Sequence, residues 1–125
     1  MNVLLDTHVA LWWLNDPGRL TEEASEVIAD GRNHVFLSAA SVWEAEMKAA
    51  YGKLHIPGPL IEAAQDAGLA ELPVRWAHAT RAAALPQLHR DPFDRVLVAQ
   101  AVEEGLVILT RDPLVRQYAV AALPA

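Results

Sequence analysis

The chain has 125 residues, enough for one domain with one hydrophobic core and too few for two ordinary domains. Its 53% hydrophobic and 21% charged residues are typical of a globular protein and exclude a disordered chain. It contains no cysteine, which excludes disulfide frameworks and thiolate metal sites. No apolar run approaches the roughly 20 residues that cross a bilayer, and no basic leader opens the sequence. We therefore expect a cytoplasmic protein with no membrane segment.

The formal net charge is −6. Proteins that bind nucleic acid usually carry a basic field, so this charge by itself disfavours a nucleic-acid substrate. The objection weakens if several carboxylates converge on divalent cations, because bound cations reverse the local sign of the potential. Net charge therefore leaves the substrate open.

Short apolar runs alternate with helical segments along the chain, with no internal repeat or linker, which predicts a single domain over residues 1–125. The predicted strands are 3–5, 35–37, 69–72 and 107–109, with a fifth, edge strand at 118–120. The predicted helices are 8–14, 22–30, 39–51, 59–67, 74–85 and 92–104. A short helix is expected after Pro113.

This alternation predicts an α/β fold, a three-layer α/β/α domain around a mainly parallel sheet of four to five short strands. The strands at 3–5, 35–37 and 107–109 are wholly apolar, as expected when helices cover both faces of the sheet. Ligands of such sheets bind at the carboxyl ends of the strands, near a reversal of strand order.

Acidic residues follow several of these strands. Asp6 comes directly after the first strand, and Asp112 closely follows the fourth. Glu44 lies on the helix after the second strand, while Asp91 and Asp94 stand at the start of helix 92–104. Gathered at one edge of a sheet, these carboxylates would repel one another unless a cation neutralised them. Ligands that are all oxygen favour Mg²⁺ or Mn²⁺ over zinc.

Each acid also has a local explanation as a helix cap. Asp6 and Asp112 precede helices, and Asp91 is a natural N-cap with Asp94 completing a pair like a capping box. Glu44 stands three residues after a serine, at capping-box spacing. Capping does not require that these helix starts share one sheet edge, so the joint pattern favours a metal site.

Six segments, in order and over nearly the whole chain, carry a family resemblance. They are Leu4-Leu5-Asp6-Thr7-His8, Ser41-Val42-Trp43-Glu44, Gly52-Lys53-Leu54, His89-Arg90-Asp91-Pro92-Phe93-Asp94-Arg95, Val98-Ala99-Gln100-Ala101 and Leu109-Thr110-Arg111-Asp112. With them the chain resembles the PIN-domain nucleases, and more closely the VapC toxins of bacterial toxin–antitoxin pairs.

The resemblance implies a metal-dependent endoribonuclease. The family's metal-binding acids map onto Asp6, Glu44, Asp94 and Asp112. Glu44 either binds the metal or acts as a base beside the ligands, and Asp112 binds the metal directly or through water. Asp91 matches a helix cap better than a ligand, although a place in the site stays open for it. The chemistry needs Mg²⁺ or Mn²⁺ to activate water, so no RNA 2′-hydroxyl takes part and the products carry 5′-phosphate ends.

Residues beside the acids have two interpretations each. Thr110 bonds an acid or a phosphate, or else is an ordinary turn hydroxyl. Arg95 and Arg111 contact substrate phosphates, or else neutralise the acids or face solvent. His8 and His89 lie near the predicted site, where surface or packing roles are expected.

The resemblance also implies an RNA substrate, a cognate antitoxin protein and a homodimer. Trp12 and Trp13 point to different sides of a helix, which makes them candidates for a protein interface, whereas Trp43 is expected in the core. Two other functions compete with the nuclease. One is a catalytically silent module that binds metal or nucleic acid, and the other is a phosphatase-like domain with Asp at a strand end.

Overall fold

A five-stranded sheet lies at the centre of the computed structural model, which describes all 125 residues. The strands are β1 (Asn2–Leu5), β2 (His34–Ser38), β3 (Ala70–Leu72), β4 (Val107–Thr110) and β5 (Ala122–Pro124). The helices are α1 (Thr7–Asn15), α2 (Glu22–Ala29), α3 (Ala39–Ala50), α4 (Leu60–Asp66), α5 (Trp76–Ala84) and α6 (Pro92–Glu104), with short 3₁₀ turns at Pro17–Arg19 and Val115–Gln117. None of the helices combines the length and hydropathy that crossing a bilayer requires.

The strand order is β3-β2-β1-β4-β5, and every neighbouring pair is parallel. Leu4 in β1 pairs with Phe36 on one side and with Ile108 on the other. The chain thus leaves β1 towards β2 and β3 and later returns to the opposite side of β1 to form β4 and β5. This reversal places the carboxyl ends of β1 and β4 side by side, where ligands of open α/β sheets bind.

Helices cover both faces of the sheet. Successive side chains of β1 point to opposite faces, so each face contributes to its own hydrophobic cluster. Val3 and Leu5 pack in one buried cluster with residues of α1, α2 and α4. Leu4 packs in a second cluster with Leu97 and Val98 of α6. The predicted α/β fold with three layers is confirmed, and most predicted elements lie within two residues of the observed ones.

Helix α6 begins and ends at the residues that the sequence predicts. The Asp91 side chain accepts a hydrogen bond from the backbone N–H of Phe93, and Pro92 occupies the first turn, where its missing N–H costs nothing. Gly105 ends the helix with φ of 65°, in the left-handed region that favours glycine. This start fixes the position of Asp94, one residue after Phe93.

The predicted edge strand at residues 118–120 is wrong, since β5 is Ala122–Pro124. Tyr118 instead is buried and ties down the segment before α6: its hydroxyl donates to the Pro86 carbonyl at 3.0 Å and accepts from the His89 N–H at 2.8 Å. Pro124 is tolerated because β5 is an edge strand, where a missing ladder donor can face outwards.

Candidate active site

The four predicted acids line one cleft of about 290 Å³ at the carboxyl ends of β1 and β4. Asp6 comes from the end of β1 and Asp112 from the turn after β4, while Glu44 and Asp94 project from α3 and α6. The other lining residues are His8, Val9, Trp12, Lys48, His89, Asp91 and Arg111. The fold therefore brings all four acids together.

Asp6 is buried at the carboxyl end of β1, with 6% of its surface exposed. One of its oxygens accepts from the backbone N–H of His8 at 3.4 Å, a long capping contact for α1. The other accepts from the Thr110 hydroxyl at 2.6 Å. Burial raises the pKa of Asp6, and the Thr110 hydrogen bond partly offsets this rise. Thr110 thus bonds an acid, one of the two roles expected for it.

Glu44 is almost fully buried, with 3% of its surface exposed. Lys48, one helical turn later, donates to Glu44 Oε2 at 2.6 Å, and this hydrogen bond raises the pKa of Lys48. Glu44 Oε1 has no hydrogen-bond partner. A buried carboxylate oxygen without a partner is costly, so this atom is suited to accept a cation from the cleft.

The capping box predicted for Ser41 and Glu44 is wrong, because α3 starts three residues earlier than that pattern requires. Ser38 is the N-cap, and its hydroxyl accepts from the backbone N–H of Ala40 at 3.0 Å. Ser41 lies inside the helix and accepts from the Thr7 hydroxyl at 2.9 Å. Glu44 therefore has no capping role that would explain its burial.

His89 bridges Asp94 and Asp112, an arrangement that sequence reasoning missed. Its Nε2 lies 2.8 Å from Asp112 Oδ2 and 3.1 Å from Asp94 Oδ2. One ligand atom from each of these residues lies within 4.8 Å of those of the other two, a spacing that can hold a metal ion. The histidines show no zinc-binding spacing in the sequence, so the available signal was only the position of His89 two residues before the N-cap of α6.

Asp94 has the most perturbed carboxyl group in the cleft. Burial raises its pKa first, and the charges of Asp6, Asp91, Glu44 and Asp112 raise it further, to about 8. A carboxyl group that keeps its proton to high pH is expected where several carboxylates share a small volume. A divalent cation would compensate the same repulsion.

Asp91 caps α6, as expected, and it also lines the cleft. The pair like a capping box predicted for Asp91 and Asp94 does not form. The backbone N–H of Asp91, which such a pair would give to Asp94, donates instead to His89 Nδ1 at 3.1 Å. Asp94 is therefore released from a capping role and faces the cleft.

The two arginines beside the acids differ in position: Arg111 lines the cleft and Arg95 does not. The Arg95 guanidinium donates to the carbonyls of Ala82 at 2.7 Å and Leu85 at 3.0 Å, and also to those of Pro86 and His89. Arg95 does not line the cleft, and these carbonyl contacts give it a structural role that neither of its two interpretations from sequence included. Arg111 does line the cleft, where its guanidinium lies 4.4 Å from the Trp12 ring centre and donates to the carbonyl of Ala125.

One of the three tryptophans near the site, Trp43, lies in an environment different from the predicted one. Trp43, expected in the core, is 66% exposed because α3 buries the opposite side, including Glu44 and Ala45. Its ring meets Phe93 edge-on at 5.1 Å, beside an apolar cavity of about 330 Å³. Trp12 and Trp13 are both half-buried, which agrees with the expectation that they are not both fully buried.

The residues of the cleft fit a divalent metal ion. They offer carboxylate oxygens from four acids, including the unpartnered Glu44 Oε1. Carboxylate oxygens are the ligands that Mg²⁺ and Mn²⁺ take in proteins. In addition, two basic side chains, Lys48 and His89, already contact three of the four acids.

Known proteins are similar to this chain in sequence and in fold. Residues 3–121 match the family model described as PIN domain. The chain is 33% identical over 121 residues to Ribonuclease VapC22 of Mycobacterium tuberculosis, a match that covers 93% of this chain and 91% of that protein. Among solved structures, a chain of VapBC2 from Rickettsia felis bound to a promoter DNA fragment superposes with a TM-score of 0.72 at 12% identity, covering 99% of this chain and 98% of that one. A chain of DNA-bound VapBC from Salmonella typhimurium gives 0.71 at 14% identity, with the same coverage. The chain therefore belongs to the PIN domain family.

Proposed function

We propose that this chain is an endoribonuclease that depends on Mg²⁺ or Mn²⁺ and acts as the toxin of a toxin–antitoxin pair. The observation that carries the proposal is the cleft itself, in which four carboxylates converge and a buried Glu44 oxygen has no partner. The relative named a ribonuclease supports RNA as the substrate. In this proposal residues 1–125 form a single domain that carries all of the catalytic residues.

Asp6, Glu44, Asp94 and Asp112 are proposed to hold the metal. When bound, a divalent cation supplies an activated water and stabilises charge on the phosphate. The chain's own polar groups orient these acids: Thr110 fixes one oxygen of Asp6, and Lys48 fixes one oxygen of Glu44. Arg111, at the wall of the cleft, is placed to contact a substrate phosphate.

Cleavage of a panel of labelled structured and single-stranded RNAs tests the proposal. Purified wild type should make discrete cuts with Mg²⁺ or Mn²⁺ and none with EDTA. Asp6→Asn and Asp94→Asn should abolish cutting, while Asp66→Asn, a change at an exposed acid outside the cleft, should cut normally. Tight metal binding without cleavage of any RNA would favour a catalytically silent binding module instead.

The ends of the cleaved RNA test the route of attack. If an activated water attacks the phosphorus, the products carry a 5′-phosphate and a 3′-hydroxyl, and RNA with 2′-deoxy substitution at the cut site is still cleaved. Products with 2′,3′-cyclic phosphate would contradict this chemistry, because such ends require the 2′-hydroxyl to act as the nucleophile.

A cognate antitoxin and a homodimer are proposed as partners in the cytoplasm. The structural neighbours named VapBC, which share the fold, support this assembly by analogy. The apolar cavity beside Trp43 and Phe93 suits the apolar face of an antitoxin helix, and the acidic cleft suits an arginine from the same partner. Light scattering of the isolated chain tests the dimer, and co-purification with the product of a neighbouring gene tests the antitoxin.

A further inference from the structure

His89 has no role in the proposed chemistry, yet its ring contacts two of the four acids. Its side chain is 12% exposed and lies between Asp94 and Asp112. The same ring contacts two carboxylates at once, at 3.1 Å and 2.8 Å. This is the position that a cation shared by the two acids would take.

The hydrogen bond on the other side of the ring determines which nitrogen carries the proton. The backbone N–H of Asp91 donates to His89 Nδ1, so Nδ1 must present its lone pair. In the neutral imidazole the proton is then on Nε2, which faces the acids. His89 therefore approaches Asp94 and Asp112 as a hydrogen-bond donor.

We propose that His89 occupies the place of a cation in the metal-free protein, and that a divalent metal must displace its Nε2–H from Asp94 and Asp112 in order to bind. This inference rests on the proposed role of the two acids as metal ligands. It identifies His89 as a residue that weakens metal affinity while stabilising the metal-free cleft.

The alternative, in which His89 itself ligates the metal, conflicts with the Asp91 contact. Ligation through Nε2 requires a lone pair there and moves the proton to Nδ1. That proton would face the backbone N–H of Asp91, and two donors would oppose each other. Displacement avoids this opposition, because the side chain rotates away from the acids and gives up the Asp91 contact, while the His89 backbone stays held by Tyr118 at 2.8 Å and by Arg95 at 3.4 Å.

Metal affinity of histidine variants tests the proposal, with Mn²⁺ alone as the probe and binding measured by electron paramagnetic resonance and calorimetry. His89→Ala should bind Mn²⁺ about tenfold more tightly than wild type, since the metal no longer competes with the hydrogen bonds from His89 to the two carboxyl groups. His89→Gln retains an amide donor and should lie between the two. His34→Ala, at an exposed histidine outside the cleft, should match wild type.

Unchanged or weaker Mn²⁺ binding by His89→Ala would overturn the competition while leaving the metal site itself intact. Absence of Mn²⁺ binding by wild type and His89→Ala alike would overturn the metal site of the proposed function, and the competition with it. The two failures are therefore distinguishable.

Nuclear magnetic resonance of the His89 ring in wild type gives a second test that needs no variant. On saturation with Mg²⁺ the Nε2–H resonance should shift as its carboxylate partners are lost. An unaltered Nε2–H resonance would show that His89 is not displaced and would overturn the proposal.

Discussion

Replacing Asp94 by asparagine removes one charge from the crowded cleft while preserving the shape of the side chain. Burial and four neighbouring acids raise the pKa of Asp94 from 3.8 to about 8. A folded-state pKa above the unfolded value means that Asp94 contributes stability below about pH 4, which is lost as the pH rises towards 8. The metal-free wild type should therefore carry its largest electrostatic cost near pH 8.

The size of this cost follows from the shift. Each pKa unit corresponds to about 1.4 kcal/mol, which sets a ceiling of about 6 kcal/mol for the rise in the pKa of Asp94. The side chain keeps 14% exposure to solvent, and its neighbours can relax, so we expect about a third of that ceiling. A gain of about 2 kcal/mol corresponds to an increase of about 6–10 °C in melting temperature for a domain of this length.

Thermal melting followed by circular dichroism measures the effect, with EDTA present and Asp66→Asn as the control. Near pH 8, Asp94→Asn should melt about 6–10 °C above wild type, and near pH 5 the difference should shrink. Saturating Mn²⁺ should reverse the order, because about 100-fold excess over Kd stabilises wild type by about 2.7 kcal/mol and the variant lacks one of the proposed ligands. If Asp94→Asn melts at or below wild type near pH 8 in EDTA, repulsion among the carboxylates does not control the stability of the cleft and the reasoning is refuted.

Three further variants test individual contacts. Thr110→Val removes the buried hydrogen bond to Asp6 and should lower the unfolding free energy by about 1–2 kcal/mol in urea titrations; no loss would contradict its orienting role. Lys48→Met leaves the buried Glu44 carboxylate without its cation, so the protein should lose about 1–3 kcal/mol in EDTA and recover part of it with Mn²⁺; equal losses in both conditions would argue against cation exchange at Glu44. Arg95→Lys should lower the melting temperature by about 5 °C while leaving the KM for RNA unchanged. An increased KM would instead favour a contact between Arg95 and a substrate phosphate.

The fold was predictable because the sequence repeats one signal. The runs at 3–5, 35–37 and 107–109 are wholly apolar, and each is followed by a polar residue and a helical segment, which indicates a parallel sheet covered on both faces. The site followed from the same rule, since parallel strands end at one sheet edge. Local spacing predicted the start and end of α6, at Asp91 and Gly105, because caps depend on neighbouring residues only.

The missed features depend on contacts between distant segments. Nothing in the sequence before α6 shows that His89 reaches Asp112, because that contact requires the segment before α6 to fold over the turn after β4. Trp43 was predicted in the core from residue type alone, whereas the side of α3 that is buried is set by Glu44 and its neighbours. Tyr118 has high strand propensity, but its hydroxyl bonds outweigh that preference.

Each of the four acids in the cleft has a polar or basic partner within the protein. Three of the acids already contact a basic side chain, Lys48 or His89, and the fourth accepts from Thr110. The metal-free protein thus holds four carboxylates together by internal partners that approximate what a cation would do. The arrangement explains how a chain of net charge −6 can present a site for a polyanionic substrate once metal is bound.

Anomalous diffraction from crystals soaked with Mn²⁺ tests most directly whether the four acids form a metal site. We expect a manganese peak in the cleft within ligand distance of Asp94 and Asp112, with the His89 ring rotated away from both. The peak should be absent from crystals of Asp94→Asn. A cleft without manganese, in crystals whose protein cleaves RNA in the same buffer, would contradict the proposed metal site.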